Sequence, residues 1–352
     1  MSRADFRLSL VVPVYNEEES IDAFISAIDT ELAPLKDQLE IVFVNDGSRD
    51  RPREVVEQAI ARDPRVTLVN LARNFGKEAA MTAGLHQAKG DAIVPMDVDL
   101  QDPPSLILEF VKLWQTGDYD TVYGIRVDRS ADTPMKRLTA GGFYRFFNAL
   151  STSTKLPENA GDFRLIDRKV VEAIKQLPER NRFMKGLFAW AGFRAVGVPY
   201  ERPARHAGET KFNYWKLWNF ALDGLMSFSS WPLRVWSYIG VGVSFIAFLY
   251  ILKIITQVLF FGIDVPGYAS LMSVMLFLGG IQLLSLGIIG EYIGRMFVEV
   301  KQRPVYLIEG VYGQYAKQDE EQKQEVPTTS KKSAGKKAAA KAADDQQEQA
   351  SQ

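Results

Sequence analysis

Val94-Pro95-Met96-Asp97-Val98-Asp99-Leu100-Gln101-Asp102-Pro103-Pro104 is the stretch on which the fold turns. Its first residues close an apolar run, Ala92 to Met96, that reads as a buried strand. Two carboxylates, Asp97 and Asp99, follow at i, i+2. At the end of a strand that spacing lets both reach one hard cation, and Mg2+ or Mn2+ favours such oxygen ligands when substrate phosphates complete the shell. Pro103 and Pro104 stop the strand and open the next helix, since proline is tolerated in a first helical turn. The plainer reading is an acidic loop with Asp102 as an N-cap. The carboxyl end of a strand, however, is where open α/β sheets place their ligands.

Working outward, short apolar runs alternate with helical stretches. Strands are expected at Leu8–Val14, Glu40–Asn45, Val66–Leu71, Asp91–Met96 and Thr121–Ile125, with a later one near Ala195–Tyr200. Helices are expected at Glu18–Leu32, Arg53–Ala61, Lys77–Gln87, Ser105–Gln115, Arg168–Gln176 and Arg180–Ala191. That alternation predicts an α/β fold, a mostly parallel sheet covered on both faces. No GxGxxG follows the first strand, which argues against a dehydrogenase. Four strand ends carry polar residues: Tyr15-Asn16-Glu17, Asp46-Gly47-Ser48, Arg73 to Lys77, and Asp97-Val98-Asp99. Along one sheet edge they suit a nucleotide diphosphate, with Asp46 binding a base or ribose and Lys77 meeting a phosphate. Asn159 to Leu165 reads as a polar loop leading into an apolar piece.

Composition narrows the function classes. The chain has 352 residues, a net charge of -1, no cysteine and only two histidines, His86 and His206. Disulfides and thiolate metal sites are therefore excluded, no histidine cluster exists for zinc, and nothing suggests a nucleic-acid partner. The first twenty residues hold no long apolar stretch, so no secretory leader is expected and the catalytic part is placed in the cytoplasm.

The C-terminal third changes character. Arg126 to Lys155 is basic and aromatic, and 213–232 is an aromatic amphipathic segment suited to a membrane interface. Val235–Ile263 and Tyr268–Ile289 are each apolar and long enough to span a bilayer, which predicts a two-helix transmembrane hairpin within 233–296. Arg234 before it and Arg295, Lys301 and Arg303 after it place both ends on the cytoplasmic side of a plasma membrane. A cytoplasmic segment, 297–315, and a polar tail of lysines, acids, alanines and glutamines, 316–352, complete the chain; the tail reads as disordered.

VVPVYNEEE at 11–19, FVNDGSRD at 43–50, RNFGKEAAMTAG at 73–84, DVDLQDPP at 97–104 and AGDFRLIDR at 160–168 together resemble glycosyltransferase family 2. The nearest subgroup is the polyprenyl-phosphate glycosyltransferases, and GEYIGRMFVEVKQRPVY at 290–306 resembles the end of its bacterial, two-helix members. The resemblance spans about residues 8–312 and implies a GT-A, Rossmann-like catalytic domain over 1–212. It implies inverting transfer of a sugar from a nucleotide-sugar donor to a polyprenyl phosphate held among membrane lipids, with Mg2+ or Mn2+. Glucose from UDP-glucose is the first expectation, with N-acetylglucosamine, mannose and amino sugars left open, as is a homo-oligomer.

Carried over, Pro13, Tyr15, Glu17 and Asp46 line the nucleoside, and Asp97, Asp99 and Gln101 surround the metal and diphosphate, beside the Lys77 already expected to meet a phosphate. Arg126 and Arg137 match basic positions that hold the acceptor phosphate, and Arg202, Arg205 and Lys211, in the stretch that leads to the membrane, are expected to serve it too. Asp162 and Asp99 are the expected catalytic residues. Gly141 stands where some relatives carry a hydroxyl near the acceptor phosphate. A processive polysaccharide synthase on the same fold would show Gln-x-x-Arg-Trp and more spanning helices; neither is present. A catalytically dead scaffold would lack the DxD.

Overall fold

The computed structural model describes residues 3, 5–126, 160–180, 182–201, 231–261 and 267–313. The basic aromatic stretch beyond Arg126, most of the amphipathic segment, the tail, and four expected acceptor residues, Arg137, Arg202, Arg205 and Lys211, lie outside them.

In chain order the elements are β1 (Leu8–Val14), α1 (Ile21–Glu31), β2 (Leu39–Asn45), α2 (Pro52–Arg62), β3 (Val66–Leu71), α3 (Lys77–Gln87), β4 (Ala92–Pro95) and α4 (Leu106–Gln115). There follow β5 (Thr121–Arg126), β6 (Ala160–Asp167), α5 (Arg168–Lys175), α6 (Met184–Trp190), β7 (Ala195–Tyr200), α7 (Trp231–Phe261), α8 (Tyr268–Val300) and β8 (Ile308–Tyr312). The strands form one sheet in the order β7-β5-β6-β4-β1-β2-β3-β8. Strand order reverses at β1, with β2 on one side and β4 on the other, and ligand crevices open at such a switch point.

The central strands are mainly apolar because both faces are covered, and polar residues within them, Ser9, Glu40, Thr67 and Asn70, are themselves buried. Leu8, Leu10, Val12 and Val14 of β1 pack with Phe24 and Ile28 of α1 and with Phe110 and Trp114 of α4. Val11, Val42, Val44 and Val69 face α3, α5 and α6, where Ala80, Met81, Val170, Val171 and Leu187 close the second layer.

The sheet is mostly parallel, as expected, with six of its eight strands running the same way. Two strands run antiparallel, β6 between β4 and β5, and β8 beside β3. The expected loop at Asn159–Leu165 contains the start of β6. Its Asp162 and Arg164 alternate with Phe163 and Leu165, a strand period that the polar residues disguised. Arg164 is buried; its Nη2 donates to the Gly161 carbonyl at 2.8 Å, and its guanidinium lies 4.5 Å from the Phe188 ring centre.

α7 and α8 touch each other and leave large apolar side chains exposed, among them Phe245, Ile246, Leu271, Phe277 and Leu284. Among the described residues one helical stretch, Phe277–Val300, is long and apolar enough to cross a membrane by length and composition. α8 continues to Val300 rather than ending near Ile289. The helix runs on through Gly290 and Gly294, and Arg295 pairs with Glu291 one turn back at 2.8 Å. Gln302, at φ 49°, then turns the chain out of the helix. The segment after it returns to the catalytic domain. Glu299 accepts the Arg180 backbone N–H at 2.8 Å, and Tyr306 Oη lies 2.6 Å from His86 Nδ1. β8 then pairs with β3, where Asn70 donates to Glu309 at 2.6 Å and Arg53 to Tyr312 Oη at 2.8 Å.

Candidate active site

Every parallel strand delivers its carboxyl end to one edge of the sheet, and antiparallel β6 brings its amino end there. That is how Asp162, early in β6, reaches the edge occupied by residues just past β3 and β4. Lys77, the first residue of α3, joins them: its Nζ lies 2.6 Å from Asp97 Oδ1 and 3.9 Å from Asp162 Oδ2. Lys185 on α6 approaches Asp162 Oδ1 at 3.7 Å from the other side. The result is a string of alternating charge, Asp97, Lys77, Asp162, Lys185, all partly exposed. Half-exposed pairs of this kind contribute only about 0–1 kcal/mol to stability. Fold stability therefore does not account for their gathering.

The electrostatics favour the charged forms. Burial pushes the Asp162 carboxyl up, but Lys185, Lys77, Arg164 and Arg126 together hold it below the ordinary carboxylate range. Burial would lower Lys77, yet Asp97 and Asp162 raise it above the usual amine value. Glu78, next along α3, goes the other way: burial and then the Asp162 charge push it up to about 7. Its Oε2 accepts the Met184 backbone N–H at 3.2 Å, tying α3 to the start of α6.

The DxD turn carries strain. Leu100, between Asp99 and Gln101, has φ 54°, a left-handed conformation rare for such a side chain and characteristic of functional turns. Gln101 donates its side-chain amide to Asp99 Oδ2 at 2.6 Å and its backbone N–H to Oδ1 at 3.2 Å. The N-cap position of α4 is Ser105, not Asp102 as in the plainer reading above. Asp102 is buried and accepts the Tyr200 hydroxyl at 2.5 Å.

The other sequence-predicted residues take these places. Pro13 is half-buried in β1, past Val11, where the ladder to β4 ends. Tyr15 is 42% exposed, and Glu17 is exposed with its Oε2 3.3 Å from Ser20 Oγ. Asp46 is buried, and its two oxygens accept the backbone N–H groups of Phe75 and Gly76 at 2.7 and 2.9 Å. It thus clamps the 73–76 loop. Gly47 makes that approach possible: at φ 61°, a Cβ would stand 2.3 Å from the Arg73 carbonyl carbon. Arg126 ends β5, with its Nε 3.2 Å from Tyr200 Oη and its Nη2 3.7 Å from Asp102 Oδ1.

The sequence reading did not single out Lys185, Glu78 or Tyr200. Only Glu78 carried a local signal, its place beside Lys77 at a helix start. Among the described residues no group of three or more His, Asp or Glu gathers to hold an ion by itself. The acidic donors are instead the pair Asp97 and Asp99, with the Gln101 amide beside them.

Known proteins share this arrangement of domains. Residues 9–175 match glycosyl transferase family 2, and residues 231–296 match the GtrB C-terminal hairpin. Over 305 residues the chain is 52% identical to the SfII prophage-derived bactoprenol glucosyl transferase of Shigella flexneri, covering 86% of this chain and 97% of that one. Over 306 residues it is 52% identical to an uncharacterized glycosyltransferase of Synechocystis sp., covering 87% and 96%. A solved structure, glucosyl-3-phosphoglycerate synthase from Mycobacterium tuberculosis, is 20% identical over 64% of this chain and 80% of its own, with a TM-score of 0.43, too distant to argue from. Sequence similarity and sheet topology together define a glycosyltransferase. The chain belongs to glycosyltransferase family 2, in the group whose catalytic domain is followed by a GtrB-type hairpin.

Proposed function

We propose that the enzyme transfers glucose from UDP-glucose to a polyprenyl phosphate at the cytoplasmic face of a membrane, with inversion at the anomeric carbon. The observation that carries this reading is the Lys77 ammonium lying between Asp97 and Asp162 at the switch-point edge. Such an edge suits a sugar diphosphate. The acceptor is supported by the 52% identity to a bactoprenol glucosyl transferase. It is also supported by exposed apolar helices that follow the catalytic domain.

The chemistry asks little of a base, because the acceptor phosphate is already anionic at pH 7. A phosphate oxygen forms the new bond to the anomeric carbon as the bond from that carbon to the diphosphate breaks. Asp162, kept ionised by its neighbours, stabilises positive charge developing on the sugar rather than taking a proton. Lys77 and Lys185 offset the charge of anions brought close together. Arg126, with Arg137, Arg202, Arg205 and Lys211, holds the acceptor phosphate; a guanidinium fork matches phosphate oxygens. Pro13, Tyr15, Glu17 and Asp46 border the nucleoside.

The donor set at the DxD turn, two carboxylates and an amide oxygen, fits Mg2+ or Mn2+. Such an ion is often held by one or two carboxylates, with substrate phosphates and water completing its shell. Asp97, Asp99 and Gln101 would hold it, and when bound it neutralises charge on the leaving diphosphate. α7 and α8 form a hairpin with both ends in the cytoplasm, keeping the lipid tail in the bilayer while its phosphate meets the sheet edge.

The test is incubation of the purified full chain with undecaprenyl phosphate and UDP-glucose, UDP-N-acetylglucosamine or GDP-mannose, followed by mass measurement of the lipid. One added hexose from UDP-glucose is expected. Product only from another donor would overturn the sugar, and no lipid product from any donor would overturn the acceptor.

A further inference from the structure

We infer that Tyr200 is a positioning residue for Arg126, its hydroxyl fastening the guanidinium and the end of the DxD turn into one unit. The inference rests on the assignment of Arg126 to the acceptor phosphate, and deepens it.

Three elements meet at this hydroxyl. Tyr200 is the last residue of β7 and lies in register with Arg126, the last of β5. The Tyr200 O–H donates to Asp102 Oδ1 at 2.5 Å, and the Arg126 Nε–H donates to the same tyrosine oxygen at 3.2 Å. Asp102 closes the DxD turn, and Arg126 Nη2 comes within 3.5 Å of where a Cβ on Gly161 would sit, beside Asp162. The hydroxyl thus stands between a buried carboxylate and a guanidinium that are themselves 3.7 Å apart.

The ring is seated for this task. A Cβ on Gly124 would lie 2.6 Å from Tyr200 Cε1, so the missing side chain at 124 is what admits the ring. Phe163 stands edge-on at 6.2 Å between ring centres and closes the other side. A tyrosine needed only to fill space would not need its oxygen aimed at a buried aspartate. Burial beside Asp102 pushes that phenol up to about 12, which keeps the donated proton on the tyrosine.

Removing the hydroxyl takes one donor from Asp102, and the Arg126 guanidinium is close enough to replace it. The guanidinium then turns toward Asp102 and away from the acceptor. The protein keeps its ring packing and loses the direction of the fork.

The experiment uses the full chain in detergent, with undecaprenyl phosphate and UDP-glucose varied separately. Wild type, Tyr200→Phe, Arg126→Lys and the double variant are compared. Tyr200→Phe is expected to raise KM for the lipid phosphate about tenfold, the scale of one charge-assisted hydrogen bond. KM for the nucleotide sugar should stay within twofold. In the Arg126→Lys background the same change should add less than twofold, because its target has gone. Gly124→Ala, which displaces the ring by another route, should reproduce the lipid-KM signature and serves if Tyr200→Phe does not fold. Full additivity of the two substitutions, or wild-type kinetics for Tyr200→Phe, would overturn the positioning role. If Arg126→Lys alters donor KM instead, and the double variant still equals the single, the positioning role stands and the acceptor assignment of Arg126 fails.

Discussion

Glu78→Gln should make the enzyme's stability less sensitive to pH, and the size of the effect follows from where Glu78 sits. Its carboxyl is pushed up to about 7 from an ordinary 4.5, chiefly by burial and then by the Asp162 charge. In the unfolded chain it titrates near 4.5. Below that value both states are protonated and the site costs nothing. As pH rises from about 4.5 to about 7, the unfolded chain releases the proton and the folded chain retains it, so stability falls. Above about 7 the loss levels off. At about 1.4 kcal/mol per pH unit the whole displacement amounts to at most about 3 kcal/mol. Glu78 is not fully enclosed, so about half of that is the better figure. Glutamine is isosteric, keeps an acceptor oxygen for the Met184 N–H and does not titrate. Groups elsewhere that titrate in the same window cancel in the difference between the two proteins. Thermal unfolding of both in the same detergent at pH 5 and pH 8 gives that difference. The variant should gain about 3–6 °C on wild type between the two pH values, at about 2–4 °C per kcal/mol for a catalytic domain of about 200 residues. An offset in Tm that is the same at both pH values would refute the reasoning.

Other outcomes follow from the same site. Lys77→Gln removes the cation between Asp97 and Asp162, and turnover should fall about a hundredfold or more, the scale of losing one preorganised charge contact; turnover within threefold of wild type would remove Lys77 from the machinery. Asp99→Asn takes away one hard oxygen ligand, so half-saturation of activity by Mn2+ should move at least tenfold higher, and an unchanged metal titration would contradict the role given to the DxD turn. The native chain has no cysteine, so Gln314→Cys reports topology cleanly: an impermeant maleimide should label it only in opened cells, and labelling from outside intact cells would refute a cytoplasmic C-terminal segment.

The legible parts of the fold were those where one physical rule dominates. β1, β2 and β3 are buried on both faces, so their apolar runs mark them within a residue or two. α3 begins and ends where it was expected, because Gly76 and the polar loop before it stop the strand pattern sharply. β6 was missed because Arg164 is a buried charge, and a buried arginine looks like a surface residue until its partners Gly161 and Phe188 are known. β8 was missed because five residues with a glycine at their centre, after a long apolar helix, carry no pattern of their own; their pairing is with β3, far away in the chain. At the site, Asp97, Asp99 and Lys77 announce themselves at strand and helix ends. Lys185 and Tyr200 do not. Their importance lies in what stands opposite them, and a strand-end tyrosine reads like any packed ring.

The return of β8 to the sheet has a consequence for how the protein is made. Synthesis runs from the amino end, so β1 to β7 emerge first, and among the described residues the outer edge of β3 has no strand beside it at that stage. Its neighbour arrives only after α7 and α8 have been made. The sheet is therefore finished last, by residues that follow the apolar helices, with a sequence separation that makes this pairing the slowest to form. Until then Asn70 lacks its Glu309 partner, and an unpaired strand edge invites other chains. A ribosome that stops short of Ile308 would release a nearly complete enzyme with an open edge. The last strand thus completes this edge of the sheet only after both apolar helices have been made.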